Sequence, residues 1–294
     1  MQLEFESRRP LTLLLLAVCI LVLPWRAART QENQPLPDDH QPEARQIGHG
    51  KRVTVDAWFN SQKRTNAAGK QVFFHYKWDD VTDSGFSLFG EMFQSYGASL
   101  ETLYDAPTAA GLKASQVYIV ASPDIPAKNP APHYATAADA EQIATWVRDG
   151  GTLLLMENDP ANADIDHFNL IGNRFGITFN PVLRHHVEGT QYEMGKIHAG
   201  ADGVVFHHAH TLFMKDTCTI SVKSPAKTIL QDKEGIVIAQ AKYGKGSVVA
   251  VVDPWLYNEY TDGHKLPAEY DNFAAGKEFA GWLLRQSPAK IPRP

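Results

Sequence analysis

The chain has 294 residues, 28 of them basic and 33 acidic, for a formal net charge of −5, and 44% of it is hydrophobic. That much apolar material supports a folded core and excludes a disordered or collagen-like chain, and the acidic balance argues against nucleic acid as a partner, because phosphate contacts demand a basic face. Two cysteines against twelve histidines exclude a disulfide scaffold, a cysteine-rich zinc fold and an iron–sulfur protein.

At the N-terminus, Arg8 and Arg9 precede an apolar run from Leu11 to Leu23 that is too short for a comfortable membrane span of about 20 residues. A basic segment followed by a short apolar one reads as a secretory signal over residues 1–30, with a cleavage site near Ala28-Arg29-Thr30; an uncleaved anchor is the alternative. The expected location is therefore exported, periplasmic or secreted, with no membrane contact beyond that signal. Once the signal is cut, Cys218 stands alone and no intramolecular disulfide can form. Residues 31–48 are polar, proline-containing and aperiodic, as in a flexible tether, and residues 289–294 form a short tail. Between them, residues 49–288 read as one domain.

Within that domain Arg52–Trp58 alternates as a strand. Ser84–Tyr96 carries Phe86, Leu88, Phe89, Met92 and Phe93 at helical spacing, closed by Gly97. Gln116–Ala121 is a buried strand, and Thr136 to Asp139 forms a capping box that opens a helix with Ile143, Trp146 and Val147 on its apolar face. Gly150-Gly151 ends it, and Thr152–Met156 is the most apolar strand of the chain. Ala163–Phe175 reads as a helix stopped by Gly176. From His185 to about Lys242 the text turns to short β-like runs, followed by the strand Ser247–Val252 and a last helix from about Asp271 to Arg285. Strands alternating with helices predict a flavodoxin-like three-layer α/β sandwich with a mainly parallel sheet and a β-rich insertion.

Open α/β sheets bind ligands beyond the carboxyl ends of their strands. Those ends deliver Asp56, Trp58 and Asn60; Ser122 and Asp124; Glu157, Asn158 and Asp159; and Asp253, Trp255, Tyr257 and Glu259. Carboxylates beside flat aromatic faces are the equipment of a sugar site, the acids bonding hydroxyls or acting as acid and base. Glu157, Asp159 and Asp253 are the candidate acids; turn shaping is the plain alternative for Asp159 and Asp253, each followed by proline. Asn158, Trp255, Tyr257 and Glu259 are candidate binding residues. A second dense patch, His75-Tyr-Lys-Trp-Asp-Asp80, adds His75, Trp78 and Asp79, and the Ser84-Gly85 helix start offers either free amides for an anion or a simple cap. His208 and His210, with His185-His186 upstream, invite a metal, but no spacing diagnostic of zinc occurs, so neither a metal nor a cofactor is expected. There is no G-x-S-x-G elbow and no phosphate loop.

The segments HYKWDD (75–80), SGFSLFG (84–90), GGTLLLMENDPAN (150–162), FGITFNP (175–181) and DPWLYNEYTDGHKLPAEYDN (253–272) resemble a class-I glutamine-amidotransferase-like domain. Its relatives lie C-terminal to the catalytic barrel of bacterial unsaturated rhamnogalacturonyl hydrolases, and the resemblance spans roughly residues 50–286. It implies a role in pectin or rhamnogalacturonan breakdown, in which the strand-end cluster binds an acidic plant cell-wall saccharide or hydrolyses its glycosidic bonds with Glu157, Asp159 and Asp253 as catalytic acids, and a separate glycoside hydrolase is a further partner. The cysteine expected in the family's nucleophile turn is replaced by Glu157–Asp159, and 294 residues leave no room for the barrel. Neither amidotransferase activity nor the barrel's hydrolase mechanism is therefore expected to transfer. The alternatives are a metal-dependent hydrolase built on the histidine-rich region and a non-catalytic docking partner.

Overall fold

The computed structural model describes residues 46–287. The signal region, all but the end of the tether, and the tail lie outside the described residues. In chain order the elements are β1 (Arg52–Asp56), β2 (Lys63–Thr65), β3 (Gln71–Phe73), α1 (Ser87–Ser95), β4 (Ser99–Leu103), β5 (Val117–Ala121), α2 (Ala137–Arg148) and β6 (Thr152–Met156). There follow α3 (Ile165–Gly172), β7 (Ile177–Arg184), β8 (Lys196–Ala199), β9 (His210–Phe213), β10 (Thr217–Val222) and β11 (Lys227–Gln231). The last are β12 (Ile236–Tyr243), β13 (Gly246–Val251), α4 (Asn258–Thr261) and α5 (Asn272–Gln286).

A nine-stranded sheet runs β4-β1-β5-β6-β13-β12-β10-β7, with β11 against β12. The first five are parallel, and from β12 outward the pairing is antiparallel. Helices α1 and α5 pack together and α2 packs on α3, which makes a three-layer α/β sandwich. Every residue of β5, β6 and β13 is buried, as expected where both faces of a parallel sheet are covered. The β-rich stretch after α3 is thus mostly an extension of the same sheet, except that β8 and β9 form a separate two-stranded ribbon. Among the described residues no helix is long and apolar enough to cross a membrane.

Local signals place the helices. The Thr136 hydroxyl accepts the Asp139 N–H while the Asp139 carboxylate accepts the Thr136 N–H, so α2 starts on a complete capping box. Helix α1 differs from expectation: it begins at Ser87 with no side-chain cap of its own. Its Leu88 N–H donates to Asn258 Oδ1 at 3.1 Å, from a segment 170 residues away. Ser84 therefore neither caps α1 nor frees its amides for an anion. Gly85, just before, can only be glycine, since a Cβ there would stand 1.6 Å from the Asp80 carbonyl oxygen.

Chain order β1, β4, then β5 on the far side of β1 puts the reversal of sheet direction between β1 and β5. That switch point and the adjoining carboxyl ends of β6 and β13 form the edge where α/β sheets bind ligands.

Candidate functional site

At this edge lies a cleft of about 360 Å³, whose walls include His75, Tyr76, Ser84, Asn158, Asp253, Tyr257 and Glu259. Lys128, Asn162, Lys215 and Asp216 complete them. Five of the sequence candidates (His75, Asn158, Asp253, Tyr257 and Glu259) are thus brought together from loops that are far apart in the chain.

His75 is held on every side. Asp124 Oδ1 accepts Gln62 Nε2–H at 2.8 Å, which fixes the amide and turns Gln62 Oε1 toward His75 Nδ1 at 3.1 Å. A carbonyl oxygen only accepts, so Nδ1 carries the hydrogen and Nε2 keeps its lone pair. The ring stacks on Phe74 at 4.9 Å and Tyr76 at 5.1 Å. Burial, with Lys128 and Lys77 adding to it, lowers the imidazole pKa to about 4, so His75 is neutral at pH 7. It presents one fixed hydrogen-bond acceptor.

The Tyr76 hydroxyl faces the Ser122 and Asn158 side chains, which oppose the rise that burial gives its pKa. Asp253 is buried and takes the Lys215 backbone N–H at 3.3 Å. Desolvation pushes its carboxyl well above the ordinary range, and neighbouring Asp216 adds to the rise against the pull of Lys215. Burial likewise pushes the Tyr257 phenol up, with Asp253 contributing. Two cations reach the same space: Lys215, and Lys128, whose ammonium pKa burial lowers against the pull of Asp159 and Asp124.

The other candidates stand elsewhere. Glu157 is completely buried below the cleft, its Oε1 accepting the Asn158 N–H at 3.0 Å while Oε2 has no partner. Asp159 shapes the turn before α3: Oδ1 accepts the Ala161 N–H at 2.9 Å and Oδ2 bonds the Asn162 amide. Trp255, expected to stack on a sugar, is 0% exposed and packs beside Phe279 at 6.0 Å; its ring is core. Trp78 packs against Phe86, Phe89 and Phe93 and donates to the Glu101 carbonyl, and Asp79 stands on the surface outside the cleft.

The histidine-rich region is tied up in carboxylate pairs. His185 Nε2 meets Asp232 at 2.7 Å, His186 Nδ1 meets Asp216 at 2.7 Å, and His210 Nδ1 meets Asp271 at 2.6 Å. Glu278 bridges His208 and His210. Among the described residues no group of three or more His, Cys, Asp or Glu is arranged to hold a metal ion. Cys218 is buried, and desolvation raises its thiol pKa far above the reactive range.

Sequence reasoning missed Tyr76, Lys128, Asn162, Lys215 and Asp216 as lining residues. The available signal for Lys128 was its place in the proline-punctuated loop that follows β5.

The class is therefore an α/β sandwich with a polar cleft at the carboxyl edge of its sheet. No protein-family model matches the chain, and no curated protein does. Among solved structures it is similar to the mmIFT52 N-terminal domain, at 15% identity and TM-score 0.57, covering 82% of this chain and 100% of that one. It is also similar to cytoplasmic protein STM1381 from Salmonella typhimurium LT2, at 10% identity and TM-score 0.51, covering 81% and 100%. The exo-beta-1,4-mannosidase Op5Man5 from Opitutaceae bacterium strain TAV5 matches at 14% identity and TM-score 0.40, over 69% of this chain and 31% of that one. At these identities the likeness to the first two is one of fold alone.

Proposed function

We propose that this is an exported amidotransferase-like domain whose strand-end cleft binds an acidic plant cell-wall saccharide, a pectin or rhamnogalacturonan fragment, beside a separate glycoside hydrolase. The observation that carries the reading is the lining of the cleft: an acceptor-only imidazole, amides, hydroxyls and the carboxyls of Asp216, Asp253 and Glu259, with Lys128 and Lys215 on the same walls. Such a set matches a ring of hydroxyls bearing one carboxylate. Each hydroxyl finds a donor or acceptor, and the anion finds a cation.

Of the three candidate acids only Asp253 lines the cleft; the other carboxyls on its walls, Asp216 and Glu259, each have a lysine beside them, Lys215 and Lys265.

The test is a thermal-shift titration of the wild type, Lys128→Gln and Tyr257→Ala with galacturonate and rhamnogalacturonan fragments. Ligand at about 100 times its Kd stabilises the folded state by about 2.7 kcal/mol. The wild type should show this gain and the variants little of it. No shift with any of these saccharides at millimolar concentration refutes the reading.

A further inference from the structure

A second recess of about 530 Å³ lies beside the cleft, at the switch point between β1 and β5. Its walls include Gln62, Phe73, Tyr104, Lys128, Asn129 and His133. Lys128 lines both spaces, and Gln62, which lines the recess, holds His75, which lines the cleft. The two recesses therefore share Lys128 as a wall, with the Gln62–His75 contact between them.

The recess is built firmly. Its loop wall is tied where Asn129 Nδ2 donates to Asp124 Oδ2 at 2.7 Å and Ser61 Oγ at 3.0 Å, and where the Asp124 N–H donates to the Phe59 carbonyl at 2.8 Å. His133 lies flat on Trp58 with ring centres 3.6 Å apart, and its Nδ1 donates to the Trp58 carbonyl at 3.0 Å. Opposite, Phe73 of β3 and Tyr104 after β4 sit 4.9 Å apart, and Tyr104 is 50% exposed. The cleft thus offers polar groups, the recess offers aromatic faces, and a desolvated cation stands between them.

We propose that the cleft and the recess form one channel for an acidic oligosaccharide of at least two sugar units. The carboxylate of one unit pairs with Lys128, and the next unit stacks on Phe73 and Tyr104. Sugar rings carry one face of C–H groups that suits an aromatic ring and an edge of hydroxyls that suits amides and carboxyls, so adjacent units use the two halves differently. The inference rests on the saccharide reading of the cleft and adds the length and polarity of its ligand.

Calorimetric titration of the full chain with galacturonate and with trigalacturonate tests it, using the wild type, Tyr104→Ala and Phe73→Ala. Both substituted residues lie outside the cleft, and half-exposed Tyr104 can be shortened without opening the core. The trimer should bind about tenfold more tightly than the monomer. Tyr104→Ala should bring that advantage below about threefold and leave the monomer's Kd unchanged. Equal affinities for monomer and trimer, or a trimer advantage untouched in both variants, overturn the channel and leave the cleft reading standing. Equally tight, Tyr104-independent binding of a glutamate oligomer also overturns it, since charge alone would then account for the affinity. Absence of binding by both saccharides removes the cleft reading and the channel with it.

Discussion

Replacing Glu157 by glutamine asks whether the carboxyl beneath the cleft is held neutral. The side chain has no solvent exposure, accepts one backbone N–H and leaves Oε2 unpartnered. Burial pushes its pKa well above the ordinary 4.5; the Asn158 N–H opposes the rise, and Asp164 and Asp159 add to it. An acid with a raised folded-state pKa keeps a proton that the unfolded chain has already released. Stability is then greatest below the unfolded value and falls as pH rises, by about 1.4 kcal/mol per pH unit up to the folded pKa. Glutamine keeps the shape and the Oε1 acceptor but does not titrate. Its unpartnered amide adds a pH-independent cost of about 1–3 kcal/mol, so the slope carries the diagnosis and the offset does not. Urea unfolding of both proteins at pH 4, 5, 6 and 7 supplies the comparison. Relative to wild type, Glu157→Gln should gain about 1.4 kcal/mol for each unit above pH 4.5 while Glu157 stays protonated. A difference that is flat with pH, or one that turns against the variant as pH rises, would refute a neutral Glu157.

Three further perturbations probe other parts of the molecule. Asn258→Ala removes the amide that caps α1 and bonds the Asp80 and Thr82 carbonyls at 3.1 and 2.9 Å, and should cost about 3 kcal/mol in urea unfolding; a loss under about 1 kcal/mol counts against this long-range cap. Glu278 is held at about 2 against the cost of burial by bonds from His210, His208 and the His207 N–H. Its stabilisation is present above the unfolded pKa near 4.5 and is lost as pH falls toward 2. Glu278→Gln should therefore be destabilised by about 2–3 kcal/mol at pH 6, with the gap to wild type closing between pH 4.5 and 2; a constant gap is the contrary result. Gly276→Ala puts a Cβ 2.5 Å from Leu256 Cδ2 and 2.9 Å from Met92 Sδ, so the α5–α1 contact must open. The melting temperature should fall although alanine is the better helix former, and an increase would show that the contact yields.

The parts of the fold legible from sequence are those set by neighbouring residues. Thr136 and Asp139 announce α2 because a capping box needs only four positions, and Thr152–Met156 announces β6 because a strand covered on both faces reads as a nearly unbroken apolar run. The attachment of β7, β10, β11 and β12 to the main sheet is a matter of long-range pairing, on which local pattern is silent. The site divides the same way. Strand ends locate Asp253, Asn158 and Tyr257 at the cleft, because topology brings those ends together. They do not say which side chains turn inward where the chain leaves the strand, and so Trp255, two residues from Asp253, falls in the core. Lys128, Lys215 and Asp216 come from loops without periodicity, where no local pattern distinguishes a wall residue from its neighbours. The α1 cap was misread for a related reason: Ser84 has the right chemistry at the right place, but the partner that closes the helix comes from the segment after β13.

Backbone strain converges on the same edge from a different direction. Five non-glycine residues among those described have positive φ: His75 at 62°, Tyr76 at 55°, Ser122 at 45°, His185 at 47° and Asp216 at 50°. His75, Tyr76 and Asp216 line the cleft, and Ser122 stands beside the Tyr76 hydroxyl. Left-handed backbone at a non-glycine residue costs about 1–3 kcal/mol, least for histidine and aspartate and most for a bulky ring such as Tyr76. Four such residues together cost several kcal/mol, against a total stability of about 5–15 kcal/mol for an ordinary domain. Relaxing His75 would turn its imidazole away from Gln62, and relaxing Tyr76 would break its N–H bond to the Ser84 carbonyl and pull its ring from His75 and Phe86. The bonds and stacked rings that hold these two residues are therefore the compensation that keeps the strained backbone in place. They also hold the acceptor of His75 and the floor of the cleft in one geometry before any ligand arrives. A preorganised polar site of this kind loses little conformational entropy on binding, and that advantage is greatest for a hydroxyl-rich ligand whose individual hydrogen bonds are each nearly offset by water.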